Sequence, residues 1–96
     1  MWIRTTTGEM INLDNGNRVV FYEDKGGDFV MYRVLLFVPV RIGAMGEIEP
    51  NTFEELGIEF WDGKAVYGYE LNNSPNYDTI YKYFNKLAKK LGAEEI

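Results

Sequence analysis

From Ile80 onward the apolar residues fall at i, i+4, i+7 and i+11 (Ile80, Phe84, Leu87, Leu91), the stripe of a helix packed on one side. Upstream of it the chain breaks into short runs rich in Val, Ile, Phe and Tyr, separated by turns bearing Gly and Asn. One helix after a series of strands leaves few architectures. Strands joined by tight turns pair antiparallel, and the helix must then lie across their sheet to bury its stripe. The pattern predicts an α+β fold: a small antiparallel curled sheet of about five or six strands, or a half-barrel, with one C-terminal α-helix packed on it.

The turn chemistry sets the order of the strands. Residues 2–5 and 10–13 read as a hairpin with Gly8 between them, and Asn15-Gly16 tolerates the positive φ that a tight turn needs. Arg18 to Asp24 is a third strand, and Lys25-Gly26-Gly27-Asp28 turns the chain into a fourth, Phe29 to Ile42. That run is long for one strand, and Pro39 marks a bend, a bulge or an edge in it. Gly43 to Leu56 reads as irregular, with one helical turn at Thr52 to Leu56 in which Thr52 and Glu55 have capping-box spacing. Asp62-Gly63 joins Gly57–Trp61 to Ala65–Leu71 as a hairpin, and residues 72–76 form a loop. Asp78 or Thr79 caps the helix start, and Gly92 ends it.

A chain of 96 residues without an internal repeat makes one domain, residues 1–96, and 46% apolar with 26% charged residues is the composition of a folded domain. Val34 to Val40, the longest apolar run, falls well short of the roughly 18–20 residues that span a bilayer. Met1-Trp2-Ile3-Arg4 leads straight into threonines and does not resemble a secretory leader. The expectation is a cytoplasmic protein with no membrane partner.

Two absences narrow the chemistry. Without cysteine there is no disulfide, thiolate nucleophile or Cys-based metal site, and without histidine no imidazole base or His ligand. No metal, no cofactor and no catalytic residue is expected, and the chain reads as a non-enzyme. A carboxylate-based hydrolase needs two acids at a fixed separation, which the sequence does not specify. The net charge of −5 argues against nucleic acid, since such binders carry cations to replace condensed counterions. Charge is also uneven: the acids Glu47, Glu49, Glu54, Glu55, Glu59 and Asp62 share one stretch without a base, while Lys82, Lys86, Lys89 and Lys90 gather on the helix.

Motifs that suggest chemistry fail on their residues. Lys25 to Tyr32 follows the RNA-recognition strand signature, but Gly27 stands where an aromatic must stack a base and Asp28 where Gly or Ala belongs. Gly43-Ala44-Met45-Gly46 spells a G-x-x-G clamp without a basic setting, and Ala65 follows Gly63-Lys64 where a phosphate loop has Ser or Thr. Around Gly16, the positions that would ligate calcium fall on Ile11 and Leu13.

Aromatic residues are the enriched class, at 16%. Trp2, Phe21, Phe29, Phe37, Phe60 and Phe84 are assigned to the core. Tyr67, Tyr69, Tyr77, Tyr81, Tyr83 and Trp61 are harder to bury together in so small a domain. Tyrosine, with its apolar ring and polar tip, suits interfaces as well as a sheet–helix seam. Trp61, Tyr67, Tyr69 and Tyr81 are therefore the candidate interaction surface. The acids from Glu47 to Asp62 are a second candidate, for a basic partner.

Met1-Trp2-Ile3-Arg4, Gly8 and Ile11-Asn12-Leu13-Asp14-Asn15, with Tyr77-Asp78-Thr79 leading into Ile80 to Leu91, resemble short uncharacterised proteins of bacteria and their phages. Those begin MWIR, continue to a V/I-N-L-D/N-N phrase and end in one amphipathic helix. The likeness covers about the first fifteen and, more loosely, the last twenty residues, and implies a structural N-terminal hairpin with Asn12 and Asp14 fixing its turn. It implies a phage or mobile-element origin and carries no catalytic residues. The function expected is a small non-enzymatic module for protein interaction or self-association, as a homodimer or with another protein. The alternative is an acidic inhibitor or nucleic-acid mimic.

Overall fold

A computed structural model describes residues 1–6, 8–40, 54–61 and 64–95, with residues 54, 55, 59–61 and 64 described as backbone. The strands are β1 (Trp2–Arg4), β2 (Glu9–Asn12), β3 (Arg18–Gly26), β4 (Phe29–Pro39), β5 (Glu54–Trp61) and β6 (Lys64–Ser74). The helix α1 (Tyr77–Leu91) follows, and then β7 (Glu94–Glu95). They form one open sheet in the order β5-β6-β4-β3-β2-β1-β7. Every pairing is antiparallel except β1 with β7, which are parallel, with Arg4 opposite Glu95. The expected α+β architecture is what forms.

The N-terminal hairpin is held at its far end by Asn12. Its buried carboxamide oxygen accepts from the Asp14 N–H at 2.8 Å and the Asn15 N–H at 3.4 Å. Asp14 thus enters the turn as a backbone donor. Gly16 has φ 76°, a conformation that favours glycine, and a Cβ there would stand a tight 3.3 Å from the Pro39 ring.

Alternation along the strands divides the sheet into two faces. Val19 of β3 and Val34, Leu36 and Val38 of β4 join Trp2 and Met10 under Ile80, Phe84 and Ala88 of α1. Val20, Leu35, Phe37 and Val66 make a separate cluster on the opposite face. That face also carries an ion network in which Arg33 donates to Glu70 at 2.9 Å and to Asp24 at 3.3 Å.

Several local expectations are corrected. Glu54 to Leu56 are extended, not helical, because β5 pairs with β6 from Glu54 on. A ladder satisfies backbone groups that one isolated helical turn leaves open. β6 likewise runs on through Asn72 and Asn73, which pair with Val34 and Arg33. The bulge of β4–β6 falls between Val34 and Leu35, and Pro39 simply ends its strand. The Val40 N–H donates to Ala65 of β6, so the Pro39 nitrogen points to the other side, beyond the last β3 pairing at Phe37.

The helix begins earlier than Asp78. Asn76 is its cap, accepting from the Thr79 N–H at 3.2 Å, and Asp78 lies in the first turn, where its charge complements the dipole. Gly92 closes the helix with φ 68°, and Ala93 N–H returns to Ala88 O at 2.9 Å. That left-handed exit sends the chain back to pair beside β1, which produces β7.

Candidate binding cleft

A second stripe runs beside the buried one on α1. Tyr77, Tyr81 and Phe84 stand at i, i+4 and i+7, and this flank faces β3 and β1. Phe21, halfway along β3, is the ring against which the flank assembles. Its centroid lies 5.5 Å from Tyr77, 6.3 Å from Tyr81 and 6.0 Å from Phe84, all edge-on, and 6.0 Å from Tyr32 of β4. Tyr32 meets Tyr77 edge-on at 5.3 Å, while Tyr77 and Tyr81 stack at 5.6 Å with planes 12° apart. Apart from the tilted Phe21–Tyr32 pair, these are the stacked and T-shaped geometries that aromatic quadrupoles favour.

The five rings are not equally covered. Phe84 is 1% exposed, whereas Tyr77 and Tyr81 remain 48% and 42% exposed. Between them and the β1–β2 turn lies a hollow of about 210 Å³ lined by Arg4, Gly8, Phe21, Tyr77, Tyr81 and Phe84. A second hollow of about 340 Å³ shares Arg4, Gly8 and Tyr81 and continues over Thr5, Thr6 and Glu95. The two are one cleft, aromatic at one end and polar at the other.

Arg4 stands where they join. Its guanidinium carbon is 5.1 Å from the Phe84 ring centroid, a cation–π contact. Among the described residues no carboxylate lies within ion-pairing distance of it, although Glu95 is its register partner on β7. Of the described residues lining either hollow, Arg4 is the one cation.

The residues singled out by sequence are separated by the fold. Tyr81 is in the cleft. Tyr67 and Tyr69 are half-buried against the main core from β6, and Tyr83 is half-buried in the same packing, where burial pushes its hydroxyl above the usual tyrosine range. Trp61 ends β5, and its side chain lies outside the described residues. Of the acids, Glu54, Glu55 and Glu59 are on β5 at the sheet edge, and Glu47, Glu49 and Asp62 lie outside the described residues. Phe29, assigned to the core, is 78% exposed, because the β3–β4 hairpin runs past the last β6 pairing at Tyr32.

Arg4, Phe21, Tyr32 and Tyr77 are the cleft residues that sequence reasoning did not place together. The helical spacing of Tyr77, Tyr81 and Phe84 is the signal that marks the flank; the partners across the sheet leave none. Among the described residues, no three His, Cys, Asp or Glu side chains converge on a metal position, and no helix is long and apolar enough to cross a membrane. The chain matches no protein-family model, no curated protein and no solved structure.

Proposed function

We propose that this protein is a non-enzymatic interaction module whose partner docks on the aromatic cleft between α1 and the β1–β2 turn. The observation that carries this reading is the pair Tyr77 and Tyr81. They are stacked on each other and on a packed aromatic floor, yet left about half exposed. Tyrosine rings packed on neighbouring rings contribute contact area to a complex at small entropic cost, which is why tyrosine is enriched at interfaces.

The test is a peptide-display selection on the immobilised protein, with the Tyr77→Ser/Tyr81→Ser double variant as the counter-target. Peptides retained by the native chain and lost on the double variant support the reading. A selection that yields nothing, or sequences that bind both proteins alike, overturns it. Light scattering at two concentrations and two salt levels then tells whether a second copy occupies the cleft.

The acidic-inhibitor reading keeps one supporting observation: Glu54, Glu55 and Glu59 belong to a strand that, among the described residues, has a sheet neighbour on one side. A basic partner held there would dissociate steeply as salt rises. A partner insensitive to salt excludes it.

A further inference from the structure

We infer that the cleft receives a partner segment that carries an aromatic residue with an acidic one beside it, with Arg4 taking the carboxylate. The inference rests on the reading of the cleft as the docking site and specifies what docks there. The hollow of about 210 Å³ lined by Phe21, Tyr77, Tyr81 and Phe84, with Arg4 and Gly8, has room for one aromatic side chain. The stacking of the Arg4 guanidinium on Phe84 occupies one face of the ion and leaves its edge donors for a ligand. A half-buried cation on an apolar floor, without an acid of its own among the described residues, binds a carboxylate more strongly than the same charge in open solvent does.

Arg4 borders both hollows, so an acid within reach of a ring seated in the aromatic hollow meets the guanidinium. The cleft does not end there: it continues over Thr5, Thr6 and Gly8, whose polar lining suits the backbone of a segment passing through. Glu95, on the wall of the second hollow, opposes the incoming acid and so limits its affinity.

The experiment is a titration of the 15N-labelled full chain, followed by amide and Arg Nε–H shifts, with three blocked dipeptides: acetyl-Phe-Asp-amide, acetyl-Phe-Asn-amide and acetyl-Ala-Asp-amide. The Phe-Asp probe should shift Gly8, Tyr81 and the Arg4 Nε–H, and bind about fivefold tighter than its uncharged isostere. Arg4→Gln should abolish that ratio, and Glu95→Gln should enlarge it. Equal affinity for Phe-Asp and Phe-Asn at the cleft overturns the inference and leaves the cleft as a docking site. So does Ala-Asp binding as tightly as Phe-Asp. If none of the probes shifts a cleft residue, the docking reading falls with it. The comparison of Asp and Asn probes uses the native chain, so it decides the matter whether or not Arg4→Gln folds.

Discussion

Two pairs of tyrosines sit on neighbouring elements of this domain and meet different fates. Tyr67 and Tyr69, two apart on β6, point to the helix-covered face and pack half-buried against the core. Tyr77 and Tyr81, four apart on α1, stack on each other at its rim and stay about half exposed. The residue type is the same, and the periodicity of each pair matches its own element. What differs is position relative to the buried stripe. The β6 pair shares its face with the core strands, whereas the α1 pair lies one flank away from Ile80, Phe84 and Ala88. An aromatic residue in the first setting holds the fold, and in the second it is available to a partner.

The largest effect expected comes from the residue common to both settings. Phe84 is part of the core and also the floor beneath Arg4. Phe84→Ala should lower stability by about 3–5 kcal/mol, read as a fall in the urea midpoint, because it removes a buried ring and leaves a cavity. A loss under about 1 kcal/mol would mean that α1 is not anchored through this ring, and would remove the basis for a rigid cleft. Next come Tyr67→Ser and Tyr69→Ser, each expected to cost about 1–3 kcal/mol in the same measurement. If either is neutral, β6 presents its tyrosines outward and the contrast with α1 disappears.

Tyr83 sharpens the comparison through pH. Its hydroxyl is held above the usual tyrosine range by desolvation. Above the ordinary tyrosine pKa of about 10, the folded chain therefore binds more protons at this position than the unfolded chain, so stability falls as pH rises. Below that pH the group is protonated in both states and contributes no slope. Tyr83→Phe should flatten the alkaline limb of a plot of stability against pH. An unchanged limb would assign the loss to other groups and place Tyr83 with the solvent-facing tyrosines.

Much of the fold was legible because it is written in local terms. The helical stripe from Ile80, the Asn15-Gly16 turn, the β5–β6 hairpin that pairs Trp61 with Lys64 and the Gly92 stop are each set over a few residues. Of the expected turn at Thr52 to Leu56, Glu54 to Leu56 instead belong to β5, where local and long-range terms compete, and Thr52 and Phe53 lie outside the described residues. A local helical signal is worth little against a ladder that pairs seven residues of β5 with β6. Phe29 was misplaced for a related reason: nothing in its neighbourhood says that β3 and β4 run on past their other partners. The cleft was half legible. Tyr77, Tyr81 and Phe84 mark a helix flank by spacing alone. That Phe21 and Arg4 come to meet them depends on the order β4-β3-β2-β1, which is a property of the whole sheet. The parallel pairing of β7 with β1, which brings Glu95 to the cleft, depends on the exit direction set at Gly92.

The smallest expected effect on stability is the most informative. Replacing Tyr77 and Tyr81 together by Ser removes two rings that contact Phe21, yet both are substantially exposed, and neither belongs to the buried cluster. The lost edge-to-face contacts are offset in part because the rings no longer have to be ordered. A total cost of about 1 kcal/mol or less is expected, with the amide spectrum unchanged outside the cleft. Such near-neutrality is what a surface kept for binding predicts, since the residues are retained there without a large structural return. A cost comparable to that of the β6 pair would instead make the two pairs equivalent. Tyr77 and Tyr81 would then be the edge of the core, and the hollow beside Arg4 would be a packing defect at the end of the helix.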